Sequence, residues 1–65
     1  MWTTYWWEVV GEDSDLCGEE FFTELFDADK DEHVKYAHDA FSNEELKCLG
    51  KVSAEFAEYL GLDTY

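Results

Sequence analysis

Residues 19–41, EEFFTELFDADKDEHVKYAHDAF, contain a change of hydrophobic period that decides the fold. Over residues 19–28 the apolar side chains alternate, which is typical of a β-strand. One face of this strand carries Phe22, Phe26 and Ala28, and the other face carries Phe21 and Leu25. We expect these residues to form the second strand of the sheet.

The second part of this stretch has a helical period. Asp29 and Glu32 have the spacing of a capping box, with Asp in place of Ser or Thr. The apolar positions that follow are spaced as one helical stripe. They are Val34, Ala37, His38 and Phe41. We expect a helix over about residues 30–41, ended by Ser42 and Asn43.

The N-terminal segment predicts another strand. Residues 2–10, WTTYWWEVV, are rich in aromatic and β-branched residues. Trp residues fall on both faces of this strand, which a sheet with one solvated face does not need. Residues 11–18 contain two glycines and three acids, so we expect a loop of six to eight residues that makes the two strands antiparallel.

The C-terminal third is less decisive. Residues 44–52 alternate as a strand does, but Ser42 and Glu45 also have the spacing that caps a short helix ending at Gly50. We favour the strand, because two strands alone make a marginal sheet. Ser53 and Gly61 bracket a last helix over residues 54–60, which should turn Phe56 and Leu60 inward. The expected fold class is α+β, a single domain over residues 1–65 with the order β-β-α-β-α and both helices on one side of a small antiparallel sheet.

The charge balance limits the classes of ligand. The chain has 17 Asp and Glu against 4 Lys and no Arg, a formal net charge of −13. Direct binding to nucleic acid or to an anionic membrane needs Lys and Arg, so both are disfavoured. No apolar run is long enough for a transmembrane helix, and no basic segment precedes an apolar one as in a signal peptide. The expected location is the cytoplasm, that of the host cell if the protein is viral.

Two cysteines, Cys17 and Cys48, suit a reducing compartment and are expected to be free thiols rather than a disulfide. With His33 and His38 they supply the ligand types of a Cys₂His₂ zinc site, but the cysteines lack the close spacing of a zinc knuckle. We therefore expect no zinc and no other cofactor. No nucleophile motif or phosphate-binding loop is present, and the chain is not expected to be an enzyme.

A partial calcium motif gives an alternative function. Asp27, Asp29 and Asp31 occupy positions 1, 3 and 5 of an EF-hand loop. The motif fails at the sharp turn, where Glu32 replaces Gly, and at the last ligand, where His38 replaces a carboxylate. A degenerate metal-binding module is thus one alternative, and an acid-rich helix N-terminus is the simpler interpretation.

The acidic runs are the strongest functional signal. Carboxylates recur at 12–15, 19–20, 27–32 and 44–45, and duplex DNA carries about two charges per 3.4 Å of its axis. Such runs either keep a short chain in solution or imitate a row of phosphates. The candidate partner-binding acids are Glu12, Asp13, Asp15, Glu19, Glu20, Asp27, Asp29, Asp31 and Glu32. Trp2 and Trp6 complete the candidate interface, unless they are buried against a final helix longer than residues 54–60 or against a second copy of the chain.

The segments YWWEVVGED, 5–13, and FFTELFDADKDEHVKYAHDAF, 21–41, give the order strand, strand, capped helix. In this order, and in acidity and aromatic content, the chain resembles small bacteriophage proteins that disable host machinery. The architecture is similar to that of the small RNA polymerase inhibitor of T7-like phages. The resemblance implies a host-takeover protein that acts by protein–protein interaction.

The leading hypothesis is an acidic, non-enzymatic inhibitor of a basic host protein that normally binds nucleic acid, such as an RNA polymerase or a nuclease. Charge mimicry of DNA is its expected means of binding. The other alternative is a structural or assembly protein that forms homo-oligomers, such as a homodimer, through Trp2 and Trp6.

Overall fold

A computed structural model describes all 65 residues of the chain. The strands are β1, Trp2–Val9; β2, Glu20–Phe26; and β3, Leu46–Val52. The helices are α1, Lys30–Ala40, and α2, Ala54–Leu60. The expected α+β class and the order β-β-α-β-α are confirmed, and residues 46–52 form the strand rather than the helix.

β1 is the central strand of a three-stranded antiparallel sheet with the order β2-β1-β3. Its register against β2 places Trp7 opposite Phe21 and Trp6 opposite Phe22. On the other side, the register against β3 shifts between Trp6 and Trp7, next to Gly50. Gly50 has a φ of 119°, which an L side chain rarely adopts, so this irregularity depends on glycine.

Both helices are capped by the residues that the sequence indicates. The Asp29 carboxylate accepts a 2.8 Å hydrogen bond from the Glu32 N–H, and the Ser53 hydroxyl accepts one of 3.1 Å from the Phe56 N–H. Gly61 ends α2 in the left-handed conformation with a φ of 67°. These local signals fix where each helix begins and ends.

The two helices lie on opposite faces of the sheet, so the expectation that both lie on one side is wrong. α1 brings Ala37 into a core with Trp7, Val9 and Phe21. On the other face, α2 places Phe56 against Trp6, with ring centroids 5.4 Å apart. A sheet covered on both faces needs large apolar residues on both, which explains why Trp alternates to both sides of β1.

The path of the C-terminal residues accounts for this arrangement. After α2 the chain reaches the outer edge of β2, where Asp63 and Tyr65 exchange three backbone hydrogen bonds of 2.8 Å with Phe22 and Glu24. Thr64 forms a parallel bridge with Phe22. Because β3 lies at the opposite edge, the chain has to cross a face of the sheet between Val52 and Asp63, and α2 is that crossing.

The outer edge of β3 has no partner strand. This edge strand carries Lys47 and Lys51, both exposed. Charged residues on an edge strand, lysine above all, oppose pairing with a strand of another chain. Two of the four lysines are therefore explained by the sheet edge.

The connection between β1 and β2 is residues 10–19, longer than the expected six to eight. Its ends are tied by a 2.9 Å bond from the Gly18 N–H to the Val9 carbonyl. A second bond of 2.9 Å, from the Val10 N–H to the Glu45 carbonyl, joins this loop to the segment before β3. Two loops that are distant in sequence therefore meet at one end of the sheet.

The buried stripe of α1 differs from the expected one at its histidines. His33 is fully buried with Ala37, whereas Val34 and Phe41 are half-buried and His38 is exposed. The expectation that His38 faces the core is therefore wrong. His33 replaces it because a buried threonine on β2 gives its ring a hydrogen-bond partner.

Candidate functional site

Almost all of the negative charge is left without a cation. The only ion pair joins the N-terminal amino group of Met1 to Asp27 Oδ1, at 2.8 Å. Each of the four lysines lies more than 4.0 Å from every carboxylate oxygen. The carboxylates are thus available to an external cation, and their mutual repulsion is not offset inside the fold.

The strands place a row of three glutamates on the α2 face. Glu20 and Glu24 alternate with Phe22 on β2, and Glu8 lies directly opposite Glu20 in the β1–β2 register. Like charges directly opposite one another on a sheet are destabilising. This pair therefore does not stabilise the sheet. Glu8 and Glu24 are additions to the candidate acids, because in the sequence each stands alone among apolar residues.

One end of the sheet gathers two of the predicted acidic runs. Glu12 and Asp13 face Glu44 and Glu45 across an open cleft of about 250 Å³. The rest of its lining is Gly11, Ser14 and Asn43. Asp15 and Glu19 are exposed in the adjoining loop. The sequence predicts the runs, and the register of the sheet shows that they meet.

The run at 27–32 lies at the other end of the sheet. Asp27 is bonded to the N-terminal amino group, and Asp29 is the N-cap of α1. Asp31 and Glu32 lie in the first turn of α1, where negative charge is favourable. β1 has 8 residues, so at a rise of roughly 3.3 Å per residue the two acidic ends are roughly 25 Å apart. The candidate acids therefore form two clusters and not one continuous row.

The metal alternatives find no support in this arrangement. No three side chains of His, Cys, Asp or Glu are placed so that they could hold a metal ion. Asp27 and Asp29 are engaged in other bonds, as described above. Of the zinc candidates, Cys17 is exposed, whereas His33 is buried in the core. Cys17 and Cys48 are free thiols, as expected.

The two candidate tryptophans have different environments. Trp6 is half-buried between Phe22 and Phe56, with ring centroids at 6.4 and 5.4 Å, and its indole nitrogen is buried without a partner. Trp6 is thus packed against α2, although this helix is no longer than predicted. Trp2 is 63% exposed and contacts Phe26 edge-on at 5.6 Å. Trp2 is therefore the one of the two that is open to a partner.

A buried polar chain links the two strands to α1. The Trp7 indole N–H donates to Thr23 Oγ1 at 2.8 Å, and Thr23 Oγ1 lies 3.1 Å from His33 Nδ1. The Thr23 hydroxyl can also donate to Nδ1 or accept a second hydrogen bond from it, so the direction of this bond depends on the histidine tautomer. His33 Nε2 has no hydrogen-bond partner.

Burial lowers the pKa of His33, although the nearby Glu32 and Asp29 carboxylates act in the opposite direction. The aromatic ring of Tyr5 packs edge-on against the imidazole at 4.4 Å. The ring is fully enclosed, and neither of the two clefts of the molecule is lined by His33. His33 is therefore a component of the core, not a group that a substrate can reach.

Comparison with protein-family models, with curated proteins and with solved structures finds no match to this chain. Neither helix has the length and apolar character needed to cross a bilayer. What the protein binds therefore has to be inferred from its own surface.

Proposed function

We propose that this chain is an acidic, non-enzymatic protein that binds and inhibits a basic protein whose surface normally takes nucleic acid. The observation that carries the proposal is the absence of internal charge compensation. The chain has 17 Asp and Glu residues and only 4 lysines. Its only ion pair is made by the terminal amino group.

The charge is larger than a chain of this length needs to stay in solution. A net charge of magnitude about 2–8 is sufficient for a small domain, and the formal charge here is −13. Self-repulsion of this size lowers stability. The Glu8–Glu20 pair adds a local repulsion where any neutral pair would suit the sheet better. Such costs are expected where the charges serve binding.

The separation of the acidic clusters suits a groove that holds a duplex. Clusters roughly 25 Å apart correspond to about seven base pairs at 3.4 Å each. Glu20 and Glu24 on β2 lie between them on the α2 face. An acidic surface of this extent steers association with a basic groove, so binding is fast at low salt and weakens as salt rises. The host-takeover role implied by the resemblance to phage inhibitors is consistent with this mode of binding.

The experiment is a capture from bacterial lysate followed by a competition assay. The immobilised chain is washed at about 50 mM and then about 500 mM NaCl, and the proteins that elute are identified by mass spectrometry. Each candidate is then purified, and its binding to duplex DNA is measured with increasing amounts of the chain. We expect one basic protein that elutes at high salt and loses its DNA as the chain is added.

A matched pair of variants separates local placement from total charge. The sheet variant combines Glu8→Gln with Glu20→Gln, and the helix variant combines Glu55→Gln with Glu58→Gln. Each variant removes two negative charges, the first from the sheet and the second from α2. We expect the sheet variant to inhibit DNA binding less. A captured protein that keeps its DNA at saturating amounts of the chain would refute inhibition. If no basic protein is captured at low salt, the proposed binding to a basic protein is refuted.

A further inference from the structure

An exposed aromatic pair lies at one end of the α2 face. Trp2 and Phe26 are directly opposite each other in the β1–β2 register, and their rings meet edge-on at 5.6 Å. They are 63% and 61% exposed. Two such side chains in contact on a 65-residue chain form an apolar surface whose exposure to water is unfavourable.

α2 does not cover this pair. The same face runs from buried Phe22 through half-buried Trp6 to exposed Trp2. α2 meets this face through Phe56, which packs on Trp6. The pair is thus the uncovered end of an otherwise packed face, open to a partner.

A carboxylate adjoins the pair. Glu24 lies opposite Thr4, one position further along the same face, and is therefore a diagonal neighbour of Trp2. Such neighbours are about 7–8 Å apart, within reach of one long side chain. The carboxylate is exposed, and its only hydrogen-bond contact is a long one of 3.5 Å from the Thr4 hydroxyl. No lysine of the chain neutralises it.

We propose that Trp2, Glu24 and Phe26, here called the aromatic–carboxylate patch, bind an arginine side chain of a basic partner. The planar guanidinium stacks on an aromatic face while its N–H groups donate to the Glu24 carboxylate. Arginine suits the patch better than lysine because it is planar and more weakly hydrated. The inference rests on the proposed function, and it names the side chain that the acidic surface selects.

Charge also argues against a second copy as the occupant. A dimer would bring together two chains of formal charge −13, and the chain contains no arginine to place on the patch. The four lysines lie on α1 and β3, and none of them pairs with Glu24. A partner rich in arginine supplies the complementary charge.

The test is an NMR titration of the full ¹⁵N-labelled chain with two probes, a nona-arginine and a nona-lysine peptide. The three tryptophan indole N–H signals report three environments, exposed Trp2, half-buried Trp6 and buried Trp7. We expect nona-arginine to shift the Trp2 signal and not that of Trp7. We also expect it to bind more tightly than nona-lysine, by up to about 2–5-fold, because the guanidinium is planar and more weakly hydrated than an ammonium group.

Matched variants locate the effect. Trp2→Ala and Glu24→Gln should each weaken nona-arginine binding about 2–5-fold. Tyr59→Ala, which removes an aromatic side chain that is 85% exposed on α2, and Glu58→Gln should change it less. If Trp2→Ala does not fold, Trp2→Leu keeps the apolar bulk and removes the aromatic face.

The possible failures differ from one another. Equal affinity for the two peptides, with patch variants that behave as the controls do, would overturn the arginine assignment and leave the proposed function intact. A Trp2 signal that moves with the concentration of the chain alone would show that a second copy occupies the patch, which also overturns the inference. Failure of both peptides to bind at low salt would count against the proposed function as well.

Discussion

Replacing Thr23 by valine tests the buried polar chain. The two side chains have nearly the same shape, but valine can form a hydrogen bond neither with the Trp7 indole N–H nor with His33 Nδ1. Both of these groups are buried and have no other partner close by. Each buried polar group left without a partner costs about 1–3 kcal/mol, so the loss of two partners in Thr23→Val should lower the free energy of unfolding by about 2–6 kcal/mol.

This loss is large for a chain of this length. At about 0.05–0.15 kcal/mol per residue, a domain of this size has a total stability of about 3–10 kcal/mol. Thr23→Val should therefore leave a substantial unfolded population at 25 °C. Thr23→Ser keeps the hydroxyl and loses one methyl group, so its free energy of unfolding should fall by about 1 kcal/mol.

Thr4 provides the matched control. It is also buried, on the opposite face of the sheet, but its hydroxyl makes only the 3.5 Å contact with Glu24. Thr4→Val should cost no more than about 1 kcal/mol. Urea unfolding of all four proteins, followed by tryptophan fluorescence and far-UV circular dichroism at one salt concentration, gives the comparison. If Thr23→Val is as stable as Thr4→Val, the polar chain does not form as described.

Three further outcomes are expected. Because burial lowers the pKa of His33, the unfolded chain binds the proton more readily, so stability should fall as the pH drops below about 6.5, by at most about 1.4 kcal/mol per pH unit. His33→Gln should remove this slope and His38→Gln should keep it; a wild-type minus His33→Gln difference that is constant from pH 8 to pH 5 would contradict this. Deleting residues 63–65 removes three backbone hydrogen bonds and should lower the free energy of unfolding by about 2–4 kcal/mol. Hydrogen exchange at the Phe22 amide should accelerate, and unchanged protection there would mean that the C-terminal residues do not pair with β2 in solution. Glu8→Gln should raise the unfolding free energy by about 0.5 kcal/mol through relief of its repulsion with the facing glutamate, and the gain should shrink between about 20 mM and about 500 mM NaCl; no gain at low salt would show that this pair costs nothing.

The parts of the fold that depend on neighbouring residues were predictable. Asp29, Ser53 and Gly61 act within one helical turn, and they mark the ends of the helices correctly. The strand at residues 46–52 followed from a different argument, that a sheet of two strands is marginal. Neither inference needs knowledge of contacts between distant residues.

The wrong predictions concern features that depend on contacts between residues distant in sequence. The side on which α2 packs depends on the pairing of Asp63 and Tyr65 with β2, and no local pattern indicates that pairing. His33 is buried in place of His38 because Thr23 offers it a hydrogen bond, which hydrophobic periodicity does not register. Within the candidate site, the acidic runs are visible in the sequence. Glu8 and Glu24 become candidates only through the strand register.

The central position of β1 has a consequence for synthesis in the cell. β1 is made before both of its neighbours, so the strand with all three tryptophans leaves the ribosome without a partner. Its second neighbour is complete only when Val52 has been added. A hydrophobic strand in this condition is prone to aggregate, and flanking charges that repel similar chains restrain it. The acids at residues 12–20 follow β1 directly. Neutralising them should therefore increase aggregation during expression, even in variants whose folded stability is unchanged.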